Sequence, residues 1–314
     1  MCTAICYTTE CHYFGRNLDL ERGYGERVVI TPRKFPFSFR YVPARLEHHA
    51  MIGMAAVAGG YPLYFEATNE KGLSMAGLNF PTNAVYGAFV EGKENIAPFE
   101  LIPYLLGRCD GLAEVKQALG NLNVVNESFS AELPVSPLHW LISDKTGSLT
   151  LECTSEGMKV YDNPFGVLTN NPPFPFHRSN VEHYMGLTAE AAENRLSPEL
   201  PLGNHSLGLG AFGLPGDFSS TSRFVRALFV KEHSVFGGSE EACVNQFFHI
   251  LSSVAMPKGC VLTANGEYEY TRYSSCCNAE TGVYSYTTYE DSTVRRVDMH
   301  TADLDGDRVA MVDG

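Results

Sequence analysis

Cys2 directly follows Met1, so removal of that methionine would leave a first residue carrying both a thiol and a free α-amine. An α-amine ordinarily titrates at about 7.7–8.0 and a thiol at about 8.5, so near neutrality the amine can take the thiol proton with no histidine between them. This is the cysteine counterpart of nucleophilic catalysis by an N-terminal threonine. A small residue at position 2 says little alone. The segment Tyr13-Phe-Gly-Arg16-Asn17-Leu-Asp19 adds to it, because in a hairpin with Cys2–Tyr7 it lies beside the terminus. There Arg16 would favour the thiolate and Asp19 would hold the amine. The competing reading of both is a surface ion pair, worth little.

The elements that must position these residues are legible in outline. Short β-rich runs between turns are predicted at 2–7, 13–17, 27–31, 38–41, 51–58, 63–67 and 73–78. Helical spacing takes over at 99–107, blemished by Pro103, and at 112–119, where Leu112, Val115 and Leu119 share a face. Strands return at 138–143, 149–153 and 159–161. Ser222 can cap a helix running to about Val230, and Ser239 precedes one with Val244, Phe247, Phe248 and Leu251 at i, i+3, i+4 and i+7. Strand-like runs at 268–273, 282–288 and 293–299 close the chain. Such blocks predict an α+β fold with largely antiparallel sheets covered by helices. No repeat or linker divides the chain, so a single domain over 1–314 is expected.

Composition excludes several function classes. Lys plus Arg number 23 against 36 Asp plus Glu, a formal charge of −13, and the positive residues are scattered, so no nucleic-acid partner is expected. No apolar run approaches the roughly 20 residues that span a bilayer, and no signal-like segment precedes Cys2, so a cytoplasmic protein with no membrane partner is expected. The 9 scattered cysteines read as reduced thiols, Cys276-Cys277 among them, and the sequons at Asn126 and Asn204 as unmodified. Gly208-Leu-Gly210-Ala-Phe-Gly213 matches a dinucleotide fingerprint but lacks the strand before it and the helix after it. Asp303-Leu-Asp305-Gly-Asp307 imitates a calcium loop, yet Arg308 stands where the turn glycine belongs. Cys2, Cys6, Cys11 and His12 fit no zinc or iron–sulfur spacing, so neither metal nor cofactor is expected. His48, His49, His139, His177 and His249 have no papain-like cysteine or G-x-S-x-G elbow to serve.

Over nearly its whole length the sequence resembles the choloylglycine hydrolase and penicillin V acylase family of N-terminal nucleophile hydrolases. The likeness is carried by Met1-Cys2-Thr-Ala-Ile, Tyr13-Phe-Gly-Arg-Asn-Leu-Asp19, Asn69-Glu-Lys-Gly-Leu-Ser-Met-Ala-Gly-Leu-Asn79-Phe-Pro81, Leu138-His-Trp140, Gly166-Val-Leu-Thr-Asn170-Asn-Pro172, Leu214-Pro-Gly-Asp-Phe-Ser-Ser-Thr-Ser-Arg223-Phe and Tyr273-Ser-Ser-Cys-Cys277. The resemblance implies a four-layer αββα sandwich, a homotetramer, and hydrolysis of a non-peptide carboxamide. It also implies the nucleophile at Cys2, a thiol-proximal arginine at Arg16, an amine-binding aspartate at Asp19, an oxyanion-site asparagine at Asn79, and further site residues at Asn170 and Arg223. Neutral amide donors suit an oxyanion.

The doublet Asn170-Asn171 departs from relatives with one asparagine there. Asn170 is assigned to the site and Asn171 to substrate contact, with either able to face inward. The clusters Phe35-Pro-Phe-Ser-Phe39 and Pro172-Pro-Phe174-Pro-Phe176 would suit an apolar pocket lined by Phe35, Phe39 and Phe174, a packed loop being the competing reading. In the family, asparagine at the position of Asn79 accompanies bile salt hydrolases and tyrosine accompanies penicillin acylases. The expected substrate is therefore a small amphipathic amide, a glycine- or taurine-conjugated bile acid. The alternatives are penicillin V, an N-acyl-homoserine lactone, or non-catalytic binding of an amphipathic ligand by a chain that keeps Met1.

Overall fold

The strand Cys2–Thr8 is buried on both faces up to its last residue, which marks it as an inner element of a layered stack. Tyr7 donates to the Cys243 carbonyl on one side, and Ala4 and Cys6 on the other join the core facing a second sheet. The computed structural model describes residues 1–312. Its 7-stranded sheet runs Val167–Leu168, Cys2–Thr8, His12–Leu20, Tyr268–Asn278, Val283–Thr288 and Arg295–Asp298, with Val261–Leu262 paired to the fourth of these. The 8-stranded sheet runs Gly157–Asp162, Gly147–Thr154, Leu138–Asp144, Ser74–Asn79, Tyr61–Asn69, Met51–Ala58, Arg27–Thr31 and Ala310–Val312. All pairings within these two sheets are antiparallel.

Helices α1 (Leu101–Leu106) and α2 (Leu112–Gly120) cover the outer face of the 8-stranded sheet. After the short α3 (Phe174–Asn180), helices α4 (Ser220–Glu232) and α5 (Glu240–Ser252) cover the 7-stranded sheet. The result is the α+β, four-layer αββα sandwich. Each fully buried Leu, Ile or Phe in these layers contributes about 1.5–3 kcal/mol.

Three sequence expectations are corrected. Residues 38–41 form no strand: Phe37 makes an isolated bridge to Arg45, and the Arg40 N–H is taken by Glu100 Oε1 at 2.7 Å. Pro103 does not spoil α1, because it lies in the first turn, where its missing N–H has no intrahelical partner to lose. The cap of α4 is Ser219, whose Oγ accepts from the Ser222 N–H, so Ser222 belongs to the first turn. The two-residue strand Val167–Leu168 was too short to be read from the sequence. Among the described residues, no helix is long and apolar enough to cross a membrane.

Candidate active site

The hairpin of Cys2–Thr8 with His12–Leu20 pairs Cys2 with Leu18 and Ala4 with Arg16, so Cys2 and Arg16 share the face turned toward the second sheet. Gly15 makes this close packing possible: a Cβ there would lie 1.9 Å from the Ser275 carbonyl oxygen on the adjacent strand. On the other edge, Leu168 pairs with Ala4, and continuing that register brings Asn170 beside Cys2. Asn170 Oδ1 accepts the Cys2 N–H at 2.8 Å and Arg223 Nη2 at 2.7 Å, while its Nδ2 donates to the Asn79 carbonyl at 2.6 Å.

The backbone around Asn170 is clamped. Ser220 Oγ accepts the Asn170 N–H at 2.8 Å, and His139 Nε2 and His177 Nε2 donate to the carbonyls of Thr169 and Asn170 at 3.0 and 2.9 Å. Burial lowers His177 to about 4, which keeps its ring neutral.

Arg223 enters from the first turns of α4. Its Nη1 donates to the Cys2 carbonyl at 2.5 Å and to Thr3 Oγ1 at 2.6 Å, and lies 3.9 Å from Asp19 Oδ2. Burial pulls this guanidinium below its usual range, opposed by Asp19 and Cys2. Asp19 Oδ1 accepts the Thr271 hydroxyl at 2.6 Å, whereas its buried Oδ2 has no hydrogen-bond partner. Burial raises the Asp19 carboxyl, and Arg223 and the N-terminus resist. The Met1 ammonium donates to the Asp19 carbonyl at 2.8 Å and pairs with Glu269; burial lowers its pKa.

Arg16 is fully buried, with Nη1 donating to the carbonyls of Gly77 at 2.6 Å and Phe65 at 3.1 Å. Its Nη2 has no partner. Burial lowers its basicity, but Cys2, Tyr273, Glu66 and Asp19 together outweigh that and raise it. Asn79 ends the strand Ser74–Asn79, half-buried and tied to Asn170 through its carbonyl. Six of the sequence-chosen residues, Cys2, Arg16, Asp19, Asn79, Asn170 and Arg223, therefore converge.

The others do not join them. Asn171 turns outward, its Nδ2 donating to the Pro81 carbonyl at 2.5 Å. Phe174 is packed into the core with Tyr161 and Phe165 near it, and its N–H is used by Glu152 at 2.9 Å. Phe35 and Phe39 pack around Phe37 in the core beneath α1 and α2, on the far face of the 8-stranded sheet. Of the clefts on the surface, one of about 560 Å³ contains Cys6, His12 and Lys116 and one of about 530 Å³ contains Arg272 and Tyr273; neither is lined by any of these phenylalanines. Phe35, Phe39 and Phe174 are thus corrected from pocket lining to packing, whereas Phe176 at the end of the second cluster is exposed; composition does not distinguish a lined pocket from a filled one. Sequence reasoning missed Thr271 and Ser220 and gave His177 no role; all three touch the site only through Asp19 and Asn170. It also missed Glu66, whose one signal is a carboxylate amid the apolar run Leu63-Tyr-Phe-Glu66-Ala67.

The stacking order, with a cysteine opening an inner strand, is a fold shared with the penicillin V acylase of Agrobacterium tumefaciens, which superposes with a TM-score of 0.78 at 18% identity over 99% of this chain and 91% of the other. The family model for linear amide C–N hydrolases, choloylglycine hydrolase family, matches residues 2–312, and the chain belongs to that family. It is 50% identical over 305 residues to the bile salt hydrolase/transferase of Lactiplantibacillus plantarum, covering 97% of this chain and 94% of the relative. The conjugated bile acid hydrolase of Clostridium perfringens superposes with a TM-score of 0.92 at 36% identity, covering 100% of this chain and 97% of the other.

Proposed function

We propose that this chain hydrolyses the amide bond of glycine- or taurine-conjugated bile acids, with Cys2 as nucleophile once Met1 is removed. The observation that carries the reading is the enclosure of the Cys2 main chain: Asn170 Oδ1 accepts its N–H and Arg223 Nη1 donates to its carbonyl. The same Nη1 lies 3.9 Å from Asp19 Oδ2, which is buried without a hydrogen-bond partner. A peptide nitrogen has one proton to give, whereas an α-amine has more.

In the proposed sequence the Cys2 sulfur attacks the carbonyl carbon and its proton passes to the α-amine. Arg16, with Nη2 free, stabilises the thiolate. The oxyanion is met by the Asn79 side-chain amide, a donor of the kind worth about 10²–10³ in rate. The amine then protonates the departing glycine or taurine nitrogen, leaving a thioester. Water adds to that thioester, and the thiol leaves as the bile acid is released. Asn170 and Arg223 hold the Cys2 main chain throughout.

The identity to relatives named for bile salts supports the substrate class. The family resemblance and the exposed apolar side chains Leu200, Leu202, Leu207 and Phe212 along one irregular segment support a homotetramer. The reading further takes residues 1–314 as one hydrolase domain acting in the cytoplasm. Purified protein assayed on glycine and taurine conjugates and on penicillin V tests the proposal, with intact mass read in parallel. The expected result is a mature chain beginning at Cys2, a higher kcat/KM on conjugated bile acids, and a ratio that shifts toward penicillin V in Asn79→Tyr. Active protein that keeps Met1, or preference for penicillin V, overturns it.

A further inference from the structure

Behind Arg16 lies a second buried carboxylate. Glu66, on the strand Tyr61–Asn69, is 1% exposed and reaches across the gap between the sheets. Its Oε2 accepts the Tyr273 hydroxyl at 2.7 Å, and its Oε1 accepts Tyr284 at 2.5 Å and Ser275 at 3.0 Å. Arg16 Nη1 is 3.8 Å from Oε2, close enough for strong attraction but outside hydrogen-bond reach. The backbone carbonyls of Phe65, Glu66's own neighbour, and of Gly77 occupy Nη1 instead.

The balance of buried charge gives this arrangement a meaning. Arg16 and Arg223 are positive, Asp19 and Glu66 negative, and all four have at most 1% exposure. That set is neutral before Cys2 ionises. A thiolate adds a further buried charge beside the α-amine that takes its proton, and its cost depends on how much of the Arg16 field Glu66 cancels. Because three hydroxyls hold the Glu66 carboxylate and none of the donors of Arg16 is spent on it, Glu66 attenuates that field and leaves Nη2 free.

We propose that Glu66 is a positioning residue that acts on Cys2 through Arg16, setting the pH at which the thiol becomes reactive. This rests on the Cys2 reading above. The groups facing Glu66 all come from the 7-stranded sheet packed against it: Arg16 from the strand His12–Leu20, Tyr273, Ser275 and Cys277 from Tyr268–Asn278, and Tyr284 from Val283–Thr288. Burial pushes the Glu66 carboxyl up, and Arg16, then Tyr273, Tyr284 and Ser275, resist. Loss of its charge leaves Arg16 uncompensated and favours the thiolate. That is opposite in sign to loss of Arg16.

The experiment is the rate of iodoacetamide alkylation of Cys2 against pH, read by mass spectrometry on the N-terminal peptide so that the other thiols do not contribute. In Glu66→Gln the pH midpoint should fall by roughly half a unit, less than the 1–3 units of a charge within about 4–6 Å of the titrating group, because Glu66 acts through Arg16. In Arg16→Gln it should rise. An unchanged or raised midpoint in folded Glu66→Gln overturns the proposal. Should that variant fail to fold, Tyr284→Phe removes one donor from the carboxylate and should lower the midpoint by a smaller amount, and no shift there overturns it equally. Failure of the nucleophile assignment would show separately, as turnover surviving in Cys2→Ala.

Discussion

The surroundings of Cys2 and the layer beneath α1 and α2 are both closed to solvent, yet they treat polar groups in opposite ways. Under the two helices, Asn69 spends its whole side chain, Nδ2 donating to the carbonyls of Leu106 and Cys109 and Oδ1 accepting from Lys71 and Leu73. Glu100 there accepts the N–H groups of Arg40 and Ala97. The atoms left over in that layer are the neutral Trp140 Nε1 and Tyr61 hydroxyl. Around Cys2 the leftovers include Arg16 Nη2 and Asp19 Oδ2, atoms of ionisable groups, beside the neutral His177 Nδ1. An unpaired buried polar group costs about 1–3 kcal/mol, more when charged. The first region spends its hydrogen bonds on the fold, and the second, on the proposed reading, holds some in reserve for a reacting group.

If that division is right, substitutions in the two regions fail in different assays. The largest effect is expected for Cys2→Ala, which should lose on the order of 10⁴-fold or more in kcat while its Tm stays within a few degrees of the parent. Turnover at the parental rate would move the nucleophile to another cysteine. Next is Phe37→Ala in the opposite layer. It should cost about 3–5 kcal/mol in denaturant unfolding through the cavity it leaves, with kcat per folded molecule nearly unchanged. A matching collapse in kcat would mean that the two layers are not separable.

The smallest effect concerns acid. His177 in the unfolded chain binds a proton from about pH 6.5 downward, but in the folded chain only near 4, so its contribution is whole above 6.5 and lost as pH falls toward 4. At pH 5 that amounts to about 2 kcal/mol. The drop in stability from pH 7 to pH 5 should therefore shrink in His177→Gln, and a drop of undiminished size would exonerate His177. His12, also lowered to about 4 by burial, remains as a second source of acid sensitivity in both proteins.

How far the sequence could be read follows the same division. Arg16 and Asp19 were legible because a tight hairpin fixes their distance from Cys2 by counting residues, and α2 and α5 because their apolar positions repeat at helical spacing. Asn79, Asn170 and Arg223 came only through resemblance, since nothing local ties position 223 to position 2. Phe35, Phe39 and Phe174 were misread because an aromatic run looks the same whether it lines a pocket or fills one. Glu66 escaped notice because its partners lie on strands more than 200 residues away.

The grip of Arg223 on the Cys2 carbonyl spans 221 residues, and it sets an order of events during synthesis. Chains grow at about 5–20 residues per second, so roughly 10–45 s separate the making of Cys2 from the making of the arginine that fastens it. Thr271 and Glu269, which complete the enclosure on the Asp19 side, come later still. Throughout that interval the first residue has no finished chamber to retreat into, and a peptidase that trims Met1 can work on a loose end. On the proposed reading, maturation would precede enclosure, and the chain would need no later opening to expose its amine.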